Sequence, residues 1–276
     1  MSLSTDLERA HNTVTAILGS EAEPIEVIQR AVEPRQYWRP QRVRVVLLAE
    51  SHVFTTPEEL ASEVRLEPWM PSDLPRGFVR LVYALGYGEN DLLRDPIYRP
   101  RNSGTPQYWK ILQYCARTPG LKVDHGAVQR SRNKELRGRV TAKLGVLDAL
   151  RERGVWLVDA SVAALYNPTA AKPAANIREA ALQASWDAYT EEVVASAEPQ
   201  AVVCIGVGVK RALEPRLNRL SIPWICIPQP QARLSEQCHA KLLEIYSTVS
   251  TEPGRILELR SEMASSNVGR RACEEG

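Results

Sequence analysis

Hydrophobic residues follow two alternating patterns along the chain. Short runs of β-branched and other apolar residues, typical of fully buried strands, occupy residues 42–48, 155–159, 201–206 and 224–227. Between and around them, apolar residues spaced three or four positions apart predict helices over 4–18, 25–32, 78–85, 108–116, 133–153, 177–197, 210–217 and 235–247. Buried strands that alternate with helices predict a three-layer α/β/α fold with a central four-stranded, mostly parallel sheet.

The pattern changes at both ends of the chain. Residues 1–40 predict an N-terminal helical extension, 41–252 a single α/β domain, and 253–276 a polar tail that we expect to be partly mobile. Residues 66–106 are rich in Pro and Gly, so we expect this insertion to hold only short elements. We also expect the insertion to fold over the cleft at the edge of the sheet.

Composition narrows the class of protein only slightly. The 276 residues carry a net charge of +2, which neither indicates nor excludes a nucleic-acid binder, because phosphate binding needs local clusters of charge. The chain shows no apolar run long enough to span a membrane and no secretory signal, so we expect a cytoplasmic protein. The cysteines form no C-x-x-C pair and the histidines lack metal-ligand spacing, so we expect no disulfide framework, metal or other cofactor.

The residues that follow the strands are the candidates for chemistry, because ligands of parallel α/β sheets bind outside the carboxyl ends of the strands. Glu50 and Asp159 emerge directly from buried strands and must find hydrogen-bond donors, so they form a plausible acid–base or electrostatic pair. Gly206 and Gly208 can present backbone N–H groups to a phosphate, although they match neither known glycine-rich nucleotide motif. Polar residues and glycines at strand ends can equally serve only to cap helices or shape turns.

Five segments at these strand ends resemble, in order, the uracil-DNA glycosylase superfamily. Residues 45–52 resemble its first strand and water-activating loop, which reads GQDPYH in one branch and GEAPG in another; Glu50 falls on the Glu of the second form and Ser51 on the Asp of the first. Residues 154–161 resemble the strand GVLLLNAVLT, with Asp159 in place of the Asn that reads the uracil edge. Residues 227–235 resemble the HPSPLS loop, with Gln229 in place of the catalytic His.

Two further segments complete the resemblance. Residues 185–190 and 202–206 are similar to the helix that reads GW..FT and the strand that follows it. Tyr98, the proline-containing stretch that follows and the helix from Tyr108 resemble the segment that carries the aromatic residue stacked on the base.

The resemblance implies a monofunctional DNA N-glycosylase of base excision repair, which flips uracil out of DNA and hydrolyses its N-glycosidic bond to leave an abasic site. Glu50 would stabilise the positive charge on the sugar and orient water. Gln229 or His52 would donate a hydrogen bond to the departing base. An ionised Asp159 only accepts hydrogen bonds, whereas one protonated by burial would also donate, and this leaves the base identity open. Ser51 would also contact the base, and Tyr98 or alternatively Phe54 would stack on it.

The same resemblance implies a DNA partner, single- or double-stranded, and we expect a monomer. Leu234 or Arg233 would wedge into the duplex, while Lys210 and Ser161 would contact the backbone. Three alternatives stay open: a catalytically weakened DNA-binding protein on the same fold, a mismatch-specific glycosylase with another base preference, and a nucleoside or phosphate enzyme for small molecules that uses the same cleft.

Overall fold

A computed structural model describes residues 3–94, 105–118, 121–167, 170–229 and 235–265. Within these ranges, β1 (Val45–Ala49), β2 (Val155–Asp159), β3 (Ala201–Ile205) and β4 (Trp224–Ile227) form one four-stranded sheet. The strand order is β2-β1-β3-β4 and every pairing is parallel. Almost every strand residue is buried, as expected for a sheet covered by helices on both faces, so the predicted three-layer α/β/α fold is confirmed.

The helices largely confirm the predicted elements. The described helices are α1 (Leu3–Leu18), α2 (Ile25–Tyr37), α3 (Pro57–Leu60), α4 (Pro106–Ala116), α5 (Leu136–Arg153), α6 (Ala175–Ser185), α7 (Glu191–Ala195), α8 (Val207–Leu217), α9 (Glu236–Thr251) and α10 (Ile256–Ser265). A π turn at Trp186–Thr190 joins α6 to α7, so the helix predicted over 177–197 is interrupted in its middle. Gly154 ends α5 in the left-handed conformation, and Ser235 caps α9 by accepting a hydrogen bond from the Cys238 N–H.

The helix predicted over 78–85 is wrong. This segment instead forms successive tight turns, in which the Ala84 N–H bonds to the Leu81 carbonyl and the Tyr87 N–H to the Ala84 carbonyl. Backbone groups at its start are bonded to other segments: the Phe78 N–H donates to Ser62, and the Arg80 carbonyl accepts from Val53. In a helix the Arg80 carbonyl would accept from the Ala84 N–H, but here it accepts from the Val53 N–H, and Ala84 donates to Leu81 instead.

The N-terminal helices belong to the main hydrophobic core. Leu7, Ala10 and Val14 of α1, with Val27 and Ile28 of α2, are buried in one cluster with the strands. α1 also packs on α6 and on the π turn. The predicted extension over residues 1–40 is therefore continuous with the α/β core in the part that the structure describes.

The segment after Thr251 also differs from the expected polar tail. Residues 253–255 form a short 3-10 turn, and α10 then packs on β4. Ile256 and Leu259 are buried, and the Arg260 guanidinium lies 4.2 Å from the centre of the Trp224 ring. Residues 266–276 lie outside the described ranges. In the described part of the chain, no helix combines the length and apolar character needed to cross a membrane.

Candidate active site at the carboxyl edge of the sheet

β1 and β2 remain paired just beyond their ends, and this pairing fixes the positions of the two candidate carboxylates. The Ala160 N–H donates to the Ala49 carbonyl at 2.7 Å, and the Ser161 N–H donates to the Glu50 carbonyl at 2.9 Å. Ala49 is the direct neighbour of Asp159 across the ladder. Glu50 and Asp159 consequently leave adjacent strands at the same edge, as the strand pattern predicts.

A shallow cleft opens beside this edge. Its walls combine residues that follow β1, residues of β2, the start of α4 and part of the insertion, namely Ser51, His52, Val53, Arg80, Leu81, Val82, Thr105, Tyr108, Leu157 and Asp159. The described part of the insertion therefore borders the cleft.

A buried network of charged side chains lies under the cleft. The Arg35 Nη2 donates to Asp159 Oδ2 at 2.7 Å, and His52 Nε2 lies 2.9 Å from Glu23 Oε2. The other ring nitrogen, His52 Nδ1, is 3.4 Å from Asp159 Oδ2, which is an ion-pair distance without the alignment of a hydrogen bond. Glu23 also accepts from the N–H groups of Thr55, at 2.6 Å, and Ala164, at 2.8 Å. Glu23 thus joins the loops that follow β1 and β2.

The network determines the charge of both titratable candidates. Burial lowers the pKa of an imidazole, but the carboxylates of Glu23 and Asp159 outweigh that effect and raise the pKa of His52 to about 9. Burial raises the pKa of Asp159, yet Arg35 and His52 together bring it below its usual value. Asp159 is therefore ionised at neutral pH and accepts hydrogen bonds without donating them. The protonated state considered from the sequence does not arise, because Asp159 has two cationic neighbours.

Glu50 and Gln229 converge on the glycine turn that precedes and opens α8. Gly206 has φ of 103°, and a β-carbon at this position would lie 2.7 Å from Gln229 Cγ, so only glycine fits beneath this side chain. A β-carbon built on Gly208 would lie 3.5 Å from Glu50 Oε1. The two side chains that the resemblance assigns to catalysis thus border one turn at the edge of the sheet.

Glu50 is only partly buried, and its surroundings are mixed. Burial raises the pKa of its carboxyl above the usual value, while the positive charges of Arg178 and Lys172 oppose that shift. Arg178 donates a hydrogen bond from Nη1 to the Tyr166 hydroxyl. This arrangement gives Glu50 a nearby source of positive charge that sequence reasoning did not identify.

The other predicted site residues fall into three groups. The Ser51 side chain lines the cleft, and its hydroxyl accepts a hydrogen bond from the Leu165 N–H at 3.4 Å. Lys210 lies on α8, where its Nζ atom is 3.9 Å from Oε1 of Glu214. Ser161 is fully buried and donates to the Ala163 carbonyl at 2.7 Å, so it is not placed to contact DNA. Phe54 is buried and is not among the described cleft residues. Outside the described residues lie Tyr98, Arg233 and Leu234.

Tyr108 is a cleft residue that the sequence reasoning did not assign to the site. Burial raises the pKa of its hydroxyl well above the usual range, and the negative charges of Asp159 and Glu50 add to that shift. Within the described residues, Tyr108 therefore offers an aromatic ring at the cleft next to both carboxylates. Its place after a proline at the start of a helix was visible in the sequence, whereas nothing local marked Glu23 or Arg35.

The site contains acceptors, an amide and cations, but the described residues include no group of three or more His, Cys, Asp or Glu placed to hold a metal ion. Comparison of the chain with protein-family models and with curated proteins finds no significant match.

Proposed function

We propose that this protein is a DNA glycosylase that hydrolyses the N-glycosidic bond of a flipped uracil. The observation that carries the proposal is the convergence of Glu50 and Gln229 on the Gly206–Gly208 turn, at the edge where parallel α/β sheets bind ligands. These are the two positions that the resemblance to uracil-DNA glycosylases assigns to the sugar and to the departing base.

The proposed reaction needs charge stabilisation at two places. As the bond between N1 of the base and C1′ of the sugar breaks, its electron pair leaves with the base and positive charge develops on the sugar. An ionised Glu50 stabilises the sugar and orients a water molecule, whose oxygen bonds to C1′ while its proton passes to the carboxylate. The Gln229 amide donates a hydrogen bond to an oxygen of the departing base.

Asp159 and Tyr108 would provide base selection. An ionised Asp159 accepts a hydrogen bond from N3–H of uracil, and the Arg35 and His52 contacts hold its carboxylate at the wall of the cleft. Tyr108 offers a ring on which a flipped base can stack. His52, buried and already bound to Glu23, would act by positioning Asp159 and not by contacting the base.

The test is release of the base from a uracil-containing oligonucleotide, detected as strand cleavage after alkali. We expect activity in the wild type, a loss of at least about 100-fold in Glu50→Gln, and a loss of about 100- to 1,000-fold in Gln229→Ala. Glu8→Gln removes the same charge from an exposed position of α1 and is the matched control. Equal activity in Glu50→Gln and Glu8→Gln would contradict the proposal.

One observation favours the alternative of a catalytically weakened DNA-binding protein. Two of the polar groups at the cleft, His52 and Asp159, are already engaged with buried partners, and the catalytic His of the family is replaced by a neutral amide. Retarded migration of the oligonucleotide without cleavage would support this alternative. If the oligonucleotide shows neither retarded migration nor cleavage, the result would indicate an enzyme for small nucleosides or phosphates.

A further inference from the structure

Two cationic side chains lie near the ring of Tyr166, in the segment between β2 and α6. The Arg178 guanidinium carbon and the Lys172 ammonium each lie 5.4 Å from the centre of the Tyr166 ring, and Arg178 also bonds to the hydroxyl of that ring. Cations at such distances are held by the electrons of the ring. Tyr166 is thus a common contact of two positive side chains.

Neither of these cations has an acidic partner at ion-pair distance among the described residues. Neighbouring arginines on α8 behave differently: Arg211 pairs with Glu179, and Arg216 pairs with Asp187 at 2.6 Å. The Nε atom of Arg178 is moreover buried without a hydrogen-bond partner. Arg178 and Lys172 thus carry charges without an acidic partner among the described residues, and a phosphate group can compensate such charges.

This cation pair lies close to the candidate active site, because the Leu165 N–H, next to Tyr166, donates to the Ser51 hydroxyl, next to Glu50, at 3.4 Å. Both charges act on Glu50 and oppose the effect of burial on its carboxyl. A nucleotide whose sugar faces Glu50 brings a phosphate close to an existing carboxylate, and two negative charges in such a site repel each other unless cations lie between or beside them. Arg178 and Lys172 provide those cations.

We propose that Arg178 and Lys172, positioned by Tyr166, bind a phosphate group of the DNA strand next to the nucleotide whose sugar faces Glu50. This inference rests on the proposed function for the identity of the strand. The guanidinium of Arg178 has the fork geometry that suits phosphate oxygens, and Lys172 adds a mobile point charge at the exposed side.

The test measures binding without chemistry. A labelled single strand with an uncleavable abasic analogue is titrated with the protein at several salt concentrations, and binding is followed by fluorescence anisotropy. We expect Arg178→Gln to weaken binding by about tenfold and to reduce the slope of log affinity against log salt by about 0.7. Lys172→Gln, at an exposed position that does not threaten folding, should reduce the slope in the same way.

Two controls separate a phosphate contact from general effects of charge. Arg255→Gln removes one arginine after α9 and should bind like the wild type. Arg255 lies near the opposite edge of the sheet, where the Thr251 carbonyl accepts a hydrogen bond from Arg44. Arg178→Lys keeps the charge and should recover part of the affinity. Replacing single phosphates of the strand by neutral methylphosphonates locates the contact. When the contacted phosphate is the one replaced, Arg178→Gln should cause no further loss of affinity.

The outcomes keep this inference separate from the proposed function. If Arg178→Gln and Lys172→Gln show the same affinity and salt slope as Arg255→Gln, the phosphate site is overturned, even if uracil is released. If both variants bind the strand more weakly but the wild type releases no uracil, the phosphate site is supported and the glycosylase function is not. A third outcome is that the wild type binds no strand but is stabilised by inorganic phosphate, and that both variants lose this stabilisation. The site would then be assigned to a free phosphate compound.

Discussion

Asp159 carries a negative charge at a place where its side chain is 3 % exposed. The charge is compensated by Arg35 at 2.7 Å and by His52 at 3.4 Å, and His52 is in turn compensated by Glu23. Removal of one member from such a cluster leaves its partners buried and uncompensated, which costs much more than the loss of an exposed ion pair.

Asp159→Asn removes the negative charge from this cluster and nearly keeps the size of the side chain. We expect the free energy of unfolding to fall by roughly 3–5 kcal/mol, because Arg35 loses its buried counter-charge. Urea denaturation at pH 7 measures it. Asp148→Asn, which breaks the exposed pair with Arg151, should cost less than about 1 kcal/mol. Similar losses in the two variants would show that the network contributes no more than a surface ion pair.

His52 makes stability depend on pH in a definite direction. Its pKa is raised from 6.5 to about 9 in the folded protein, so between these values the folded state binds a proton that the unfolded state does not. The contribution is fully present below about pH 6.5 and is lost as the pH rises through about 9. A shift of this size corresponds to roughly 3 kcal/mol.

Unfolding by urea at pH 6 and at pH 9.5 tests this direction. We expect the wild type to lose stability between the two pH values, and His52→Gln to lose much less over the same interval. The matched control is His125→Gln. Burial lowers the pKa of the half-buried His125, so the folded protein binds no extra proton at this residue. A wild type whose stability is constant or rises over this interval would contradict the assigned charge of His52.

At the scale of elements, α10 offers a comparison of two leucines on one helix. Leu259 is 6 % exposed and faces the core, whereas Leu257 is 59 % exposed. We expect Leu259→Ala to lower the free energy of unfolding by about 2 kcal/mol or more, and Leu257→Ala to change it by less than about 0.5 kcal/mol. Chemical denaturation of the full chain measures both. Equal effects would mean that α10 does not pack on β4 in solution.

The elements also show where sequence patterns are informative. The four strands were predictable because a buried parallel strand is a continuous apolar run, which is a local property of the chain. The helix predicted over 78–85 failed because the Arg80 carbonyl pairs with the Val53 N–H of a distant segment and makes no helical hydrogen bond. α10 was missed because its buried residues, Ile256 and Leu259, are sparse among polar neighbours.

For the whole molecule, sheet topology explains which site residues could be predicted. The carboxyl ends of parallel strands share one edge, so the positions of Glu50, Asp159 and Gln229 followed from the order of the strands alone. Arg35 reaches Asp159 across 124 residues of sequence, and no pattern within either segment indicates this contact. The ionised state of Asp159 depends on that contact, so the residue was predictable while its charge was not.

Glu23 has a consequence for the order of events when the chain folds. Its carboxylate bonds to His52 and Thr55, some thirty residues later, but also to the Ala164 N–H, 141 residues away. The site is therefore held together by contacts of very large sequence separation, and joining such distant segments costs conformational entropy. During synthesis, the first helices leave the ribosome long before their last partner exists. The cleft at the edge of the sheet can thus be completed only once most of the chain has been made.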